Sequence, residues 1–440
     1  MIYRVQTDTE MTLDLLGEMI AKHKNYVAYQ VKPLQDAYEN RYQIFFDPAK
    51  LAGKPDNRIA VNYAKFITDT FNGFFIGIPV KVTSDDKSVN EYIEFLDALN
   101  DGDNNNAEIS KLCDIAGASF EMYYNRDDSE IGITYLSESD AFMIVDESIL
   151  ERPKFFVRYY TDTNGVERGS YSDDRIVRHF YYEGGTYHWS DEEYPHGFGY
   201  VPAVEYIANE ERMGLFESAL PAINAYNKAL SEKANDVDYF ADAYLKILGA
   251  EVDDGDTTHI RQTRIINFPY DLASDTKEPK VEFMTRPESD ATQEHLLDRL
   301  KTDIFVTSMV ANISDENFGT ASGIALRYKL EAMSNLFTAK ARRFTSSMME
   351  RYKIIFSNPI SQMSPHYVSK DAWRSIRIKF TANYPANIET EAETAKALEG
   401  IVSKETQLSV LSIVDNAKDE VERLNAEMMP SVVDNIFGGE

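Results

Sequence analysis

A single cysteine, Cys113, serves all 440 residues. One thiol excludes an intrachain disulfide and makes a cysteine-based metal site implausible. No run approaches the roughly 18 consecutive apolar residues of a membrane span. The stretch from Met1 to Asp8 lacks the apolar core of a secretion signal, so synthesis in a reducing cytoplasm and no membrane association are expected. Cations are also scarce, with 45 Lys and Arg against 73 Asp and Glu and a net charge of −28. Sequence-independent grip on DNA rests on Lys and Arg that displace counterions. An acidic chain should therefore not hold DNA tightly, although it can enclose it. Enzyme signatures are missing too. Gly53-Lys54 runs into Pro55 and is no phosphate loop, and there is no dinucleotide fingerprint, His-Glu-x-x-His or Gly-x-Ser-x-Gly.

What is present favours folding. Hydrophobic residues make up 43% and aromatics 12% of the chain, enough for two or three domains with a substantial core. Residues 10–50 have helical spacing at Leu13, Leu16 and Ile20. A turn at 54–59 precedes a helix from Asn62 toward Gly73, a strand at 77–82 and a helix at 88–98. Asp101-Gly102-Asp103-Asn104-Asn105-Asn106 reads as a loop, followed by a helix at 107–117. Residues 118–206 are rich in aromatic and β-branched runs separated by turn residues, which predicts one meandering antiparallel sheet. Apolar residues from Phe216 to Val237 recur at steps of three and four. A mixed segment at 241–287, a helix at 289–310 and a polar loop at 312–320 follow. Leu326, Leu330, Met333, Phe337, Ala341, Phe344, Met348, Tyr352 and Ile355 then hold one apolar face. That pattern predicts a helix over 322–357, N-capped by Ser322 and stopped before Pro359. A strand at 376–380 and acidic amphipathic helices at 388–400 and 406–428 close the chain.

Three clusters invite a chemical reading. His179, His188 and His196 are the nearest approach to a metal set, but they sit on separate β elements without a cysteine, and no metal or cofactor is expected. The aromatics between Tyr181 and Tyr200, with Asp191, Glu192 and Glu193, would suit a sugar-binding cleft with paired acids; a sheet face with a hairpin rim is the plainer reading. The acidic C-terminal helices lack the alternating acids and central Gly of a calcium loop.

The order of parts is more distinctive than any motif. Two helices flank a small insert, and a polar loop and one long helix follow. Four passages carry a resemblance: 54–59 with Asn62-Tyr63, Thr68-Asp69-Thr70 and Gly77-Ile78-Pro79-Val80; Asp114-Ile115-Ala116-Gly117-Ala118-Ser119-Phe120-Glu121; Ser322-Gly323-Ile324-Ala325-Leu326-Arg327-Tyr328-Lys329-Leu330; and Ser403-Lys404-Glu405-Thr406-Gln407-Leu408. In this order they span nearly the whole chain. The chain resembles the portal proteins of tailed bacteriophages, in the branch typical of phages of Gram-positive bacteria.

That resemblance implies an α+β portal-type fold, with long helices and a β-rich wing region, assembling into a ring. The implied parts are a wing (1–212), a first stem helix (213–236), a clip (237–287) and a second stem helix (288–310). A channel loop (311–321), the wing's long helix with its following strand (322–386) and a crown (387–440) complete the chain. The implied function is a non-enzymatic portal subunit of the capsid: a homo-oligomer, a dodecamer in the virion, whose channel passes double-stranded DNA during packaging and ejection. The implied partners are the packaging terminase, the head–tail adaptor, and the capsid and scaffolding proteins. The implied location is the portal vertex of the virion. In the channel loop, Asn312, Ser314, Asp315, Glu316, Asn317 and Gly319 are expected to face DNA, because binding loops sit on rigid scaffolds. Lys228, Lys233 and Lys301 on the stem helices would face the channel or form salt bridges between subunits. Negative walls repel phosphates and let DNA slide. The competing class is a carbohydrate-active enzyme using 181–194.

Overall fold

The computed structural model describes residues 2–51, 54–127, 129–190, 192–241, 245–248, 280–283, 290–314, 328–363, 365–384, 388–411, 413–414 and 417–428. In chain order the elements are β1 (Tyr3–Val5), α1 (Leu13–Tyr26), α2 (Lys32–Tyr38), α3 (Tyr63–Ile76), β2 (Lys81–Thr83), α4 (Lys87–Asn100) and α5 (Gly102–Ala116). The β-rich region holds β3 (Ala118–Asn125), β4 (Ile131–Ser137), β5 (Ala141–Asp146), β6 (Pro153–Thr161), β7 (Glu167–Ser172), β8 (Ile176–Glu183), β9 (Thr186–Trp189), β10 (Tyr194–Pro195) and β11 (Ala203–Ile207). Then come α6 (Leu220–Ala241), β12 (Leu245–Leu248), β13 (Lys280–Phe283), α7 (Asp290–Ser308), α8 (Glu331–Ser357), α9 (Pro359–Gln362), β14 (Arg377–Lys379), α10 (Ile388–Ala397), α11 (Lys404–Leu408) and α12 (Ala417–Met428). The described residues form two compact units, Met1–Ala382 and Asn383–Glu440.

Local chemistry sets the helix ends. Thr12, Asn62 and Asp86 cap α1, α3 and α4 by accepting from backbone N–H groups of the first turn, which satisfies donors no helix can satisfy itself. Pro33 has no N–H to give the preceding turn. The chain there widens into a π turn at Val27–Val31, and the Lys32 N–H reaches back to the Val27 carbonyl. The single helical stretch expected before residue 50 is thus broken into α1, the π turn and α2. The expected loop at 101–106 is also corrected. Asp101 alone turns, at φ +52°, and Gly102 to Asn106 begin α5.

The β-rich region forms two sheets, not one. The larger runs β1-β5-β6-β7-β8-β10, with β9 also on β8, and the smaller runs β11-β3-β4. From β5 to β9 the larger sheet is the expected antiparallel meander, but β1 joins β5 in parallel. Strand alternation explains the unbroken apolar run of β5. Phe142 and Ile144 face Leu16, Met19 and Ile20 of α1. Ala141 and Met143 face the other way, onto Phe120, Val201 and Ala203 of the small sheet and its lead-in.

Two further cores lie beneath α8. One gathers α4, α5, the small sheet and the β2–β14 ribbon. The other gathers α2, α3, α6 and α7. The described helix begins at Glu331, where Leu330 ends a turn at φ −94°, ψ 1°. Its 27 residues span roughly 40 Å. The expected start at Ser322 and its capping role lie outside the described residues. Leu330 and Met333 sit in the second core and Phe344, Met348, Tyr352 and Ile355 in the first, so one apolar stripe joins both.

Two cations interrupt that stripe, and both are buried. Lys340 Nζ lies 2.8 Å from Asp114 Oδ1 and also donates to the Ser110 carbonyl and hydroxyl, beneath the rings of Phe71, Phe75 and Phe344. Burial pushes the Asp114 carboxyl up to about 6 although Lys340 pulls it down. Three turns on, Arg351 grips both Glu121 oxygens at 2.7 and 2.8 Å and donates to Asn106. Tyr123 and Tyr206 also donate to Glu121. Between these carboxylates Gly117 adopts φ +95°, and a Cβ there would lie 2.2 Å from the Arg212 carbonyl. Only glycine fits.

In the second unit α10, α11 and α12 pack in sequence. Ser403 caps α11, and Gln407 donates to the Ala395 carbonyl at 2.8 Å.

Candidate functional site: the paired helices, their insert and the loop that follows

Phe216, Ala219 and Ile223 enter the second core beside Ile304 and Val310, so the start of α6 lies against the end of α7. At the other end Lys233 pairs with Glu294, and Gln293 donates to Asp236 at 2.9 Å. The two helices therefore run antiparallel. The insert continues the same pairing: β12 and β13 are antiparallel, with Leu245 opposite Phe283 and Leu248 opposite Lys280. The rest of 242–289 lies outside the described residues.

An extended strap from Asn57 to Val61 lies along α6. The N–H groups of Asn57, Ile59 and Val61 donate to Asn235 Oδ1 at 2.6 Å, Ser231 Oγ at 2.9 Å and Asn227 Oδ1 at 2.9 Å. Alternate residues of the strap thus meet every fourth residue of the helix. Asn227, Ser231 and Asn235 are all buried. Sequence reading missed this seam, yet its signal was present: three small polar residues at four-residue steps flank the apolar face.

The outward surface of the pair is mixed. Leu296 and Val306 are more than half exposed, as is Val237. Lys228 is exposed, Lys301 is half-buried, and Lys233 spends its charge on Glu294 within the same chain. After α7, Met309 turns into the left-handed region at φ +57°. Val310 is buried, and the Ser314 N–H closes a small turn onto Asn312 Oδ1 at 3.2 Å. Asp315, Glu316, Asn317 and Gly319 lie outside the described residues.

The alternative chemical clusters come apart. His196 is buried, with Nε2 at 3.0 Å from the Asp173 carbonyl and Nδ1 accepting from the Phe198 N–H. His188 stacks on Tyr181. Among the described residues no group of three His, Cys, Asp or Glu is placed to hold a metal. Glu193 meets Arg178 at 3.3 Å, Glu192 is exposed, and Asp191 lies outside the described residues. A cavity of about 760 Å³ does open between the two sheets and α8, but neither glutamate lines it. Burial shifts two of its wall groups toward their neutral forms, Glu138 up to about 7 and His23 down to about 3, while Arg212 and Glu205 on the same wall form an ion pair. Among the described residues no helix is long and apolar enough to cross a membrane.

A family model described as phage portal protein, SPP1 Gp6-like, matches residues 18–429. The portal protein of Bacillus phage SPP1 is 23% identical over 408 residues, which cover 85% of this chain and 77% of that protein. The portal protein of Clostridium phage phiCD119 is 23% identical over 402 residues, covering 84% of this chain and 85% of that one. A solved chain from the neck of an empty GTA particle, computed with C6 symmetry, aligns at 9% identity over 87% of this chain and 93% of that chain, with a TM-score of 0.47.

Proposed function

Since the chain belongs to the SPP1 Gp6-like family of phage portal proteins, we propose that its copies close into a ring, a dodecamer in the virion, whose channel carries double-stranded DNA into and out of the capsid. The observation that carries this reading is the antiparallel α6–α7 pair, with the antiparallel β12–β13 ribbon in the insert between the two helices. Such a unit reads as a two-helix column carrying the insert at one end. Repeated around an axis, columns of this kind make the wall of a tube, and the inserts form its rim.

A ring needs two different faces per copy, brought together head to tail. The exposed Val237, Leu296 and Val306 supply apolar area on the outside of the column. Carboxylates stand on the same helices: Glu232, Asp236 and Asp238 on α6, and Glu294, Asp298 and Asp303 on α7, of which Glu232 meets Lys50 and Asp238 accepts from Asn57 of the strap. Lys233 pairs with Glu294 and Arg299 with Asp303, leaving Lys228 and Lys301 as sparse cations toward the channel. Such a wall repels phosphates and gives DNA few anchors.

In this reading residues 1–212 and 322–386 form the wing, 213–236 and 288–310 the stem, 237–287 the clip and 387–440 the crown. The separate compact unit that starts at Asn383 supports the last of these. The loop 311–321, with Asn312, Ser314, Asp315, Glu316, Asn317 and Gly319, meets DNA. The clip docks the packaging terminase and, later, the head–tail adaptor; capsid and scaffolding proteins surround the wing. The chain itself carries no catalytic step, and energy for packaging comes from the terminase.

Electron microscopy of the purified protein tests this. Closed rings with an open centre are expected, in solution or on co-expression with scaffolding and capsid proteins. A monomer under every such condition would overturn the reading. Shortening 312–320 is expected to impair packaging with rings intact.

A further inference from the structure

The outward face of the β2–β14 ribbon differs in charge from the chain around it. Alternation turns Val82 and Ile378 onto the core beneath. The opposite face carries only Lys81, Thr83, Arg377 and Lys379. Lys379 stands directly opposite Lys81, a like-charge pairing that destabilises a ribbon. Both lysines are exposed, and among the described residues neither has an ion-pair partner, although the chain holds 73 acidic residues. Arg377 meets Asp85 at 2.8 Å, but both side chains are about three-quarters exposed, at 74% and 79%, so solvent screens the pair.

The turn just before β14 extends the same charge. Ser84 and Ser375 hydroxyls, 2.7 Å apart, tie the ribbon to the short helical turn at Ala372–Ser375. That turn borders a cleft of about 260 Å³ lined by Tyr200, Trp373, Lys353, Lys370 and Arg374, with Ser357 and one acid, Asp371. The Lys353 ammonium lies 5.0 Å from the Tyr200 ring centre, and the Arg374 guanidinium 5.6 Å from that of Trp373. Lys353 also meets Glu350, and Arg374 meets Asp371, while Lys370 has no ion pair among the described residues.

We propose that this face, Lys81, Arg377 and Lys379 with Lys370 and Arg374 beside them, is a binding site for the phosphate backbone of double-stranded DNA, separate from the channel pieces. Two features select phosphate over an acidic protein surface. A protein interface places apolar side chains at its centre and charges at its rim, whereas the outward ribbon face has no apolar residue. The unpaired like charges sit where a strand needs neutral or opposite ones, an arrangement explained by an external polyanion. The proposal rests on the portal reading only in that DNA is the polyanion sharing the particle.

The test is titration of a fluorescent random-sequence duplex with the purified full chain across a salt series. Wild type is expected to bind at low salt. The Lys81→Glu/Lys379→Glu pair is expected to weaken binding about tenfold or more and to flatten the logarithmic salt dependence by roughly two counterions. Lys370→Glu/Arg374→Glu should act in the same direction. Melting temperatures confirm that each variant folds. Wild-type affinity and slope in both variants would overturn the proposal, as would no binding by wild type. Unchanged DNA binding with lost self-association would also overturn it and would give the face to an acidic surface of a second copy. Rings without duplex binding would sink this site and leave the portal reading standing; a wild type that never forms rings strikes the portal reading instead.

Discussion

The long helix α8 and the column helix α6 are fastened by opposite means. α8 is pinned by two ion pairs, Lys340–Asp114 and Arg351–Glu121, with every partner almost fully buried. Along the strap α6 is fastened by neutral groups, as backbone N–H donors meet Asn227, Ser231 and Asn235, and its ion pairs, Lys50–Glu232 and Lys233–Glu294, are part-exposed. The difference lies in what happens when a bond breaks. A severed buried ion pair strands a charge in the core, whereas a severed neutral bond strands only a dipole. Losing an ion pair is therefore expected to cost the body around α8 more than losing one rung costs α6.

The sharpest way to break the comparison is to cut one ion pair. Arg351→Met, which leaves Glu121 buried without its partner, is expected to lose about 3–5 kcal/mol of unfolding free energy by denaturant titration. Adding Glu121→Gln should recover much of that loss. If the single variant loses no more than a surface change does, the α8 contrast fails.

Acidity sharpens the same contrast. The Asp114 carboxyl is raised to about 6 in the fold, against about 3.9 for an unperturbed aspartate. The folded state therefore holds that proton more tightly than the unfolded chain. The contribution is fully present below the unfolded value and fades as pH rises through about 6. The stability of wild type relative to Asp114→Asn is expected to fall by of order 1 kcal/mol between those limits. A difference that grows with pH would reverse the sign. The α6 rungs contain no titrating group, so Ser231→Ala should show no such trend.

Smaller effects follow. Asn227→Ala or Ser231→Ala is expected to cost about 1 kcal/mol each, since each leaves one strap N–H without its acceptor. Thermal melts would show it, and a loss as large as that of Arg351→Met would erase the distinction between the two fastenings. Smallest is Lys379→Thr, expected to gain about 0.2–1 kcal/mol by removing the opposed lysines while weakening duplex binding. A residue that costs stability where it stands and aids binding is the pattern functional sites show.

Much of the fold was legible from periodicity. The strands β3, β4, β5, β6 and β8, both column helices and the apolar stripe of α8 followed from spacing alone. What failed did so for identifiable reasons. Gly102 to Asn106 carry the local preferences of a turn, but one left-handed residue, Asp101, supplies the whole bend. Strand β7, Glu-Arg-Gly-Ser-Tyr-Ser, has little strand propensity. Gly169 is there because a Cβ would lie 2.2 Å from the Arg158 carbonyl, a fact of the neighbouring strand. β1 pairs with residues about 140 positions away, which no local pattern encodes. Lys340 and Arg351 were readable in principle: each falls on the helical repeat of Met333, Phe344 and Met348. Their carboxylate partners are the first and last residues of the passage Asp114 to Glu121. The family resemblance drew on that passage without its physical reason, which is that those two acids anchor the long helix. For the candidate site, the helix pair was legible, whereas the strap was not, because its hydrogen bonds come from backbone N–H groups that every sequence possesses.

The strap and α6 together behave as a vernier. Two residues of extended chain advance about 6.6 Å and four residues of helix about 6.0 Å. The mismatch of roughly 0.6 Å per rung is small enough for three rungs to engage, at 2.6, 2.9 and 2.9 Å. A fourth and fifth would bring the accumulated offset past the tolerance of a hydrogen bond. The seam therefore sets its own length. The residue types agree with that limit: the next strap position outward is Pro55, which has no N–H to give, and the next helix position inward is Ile223, which has no side-chain acceptor.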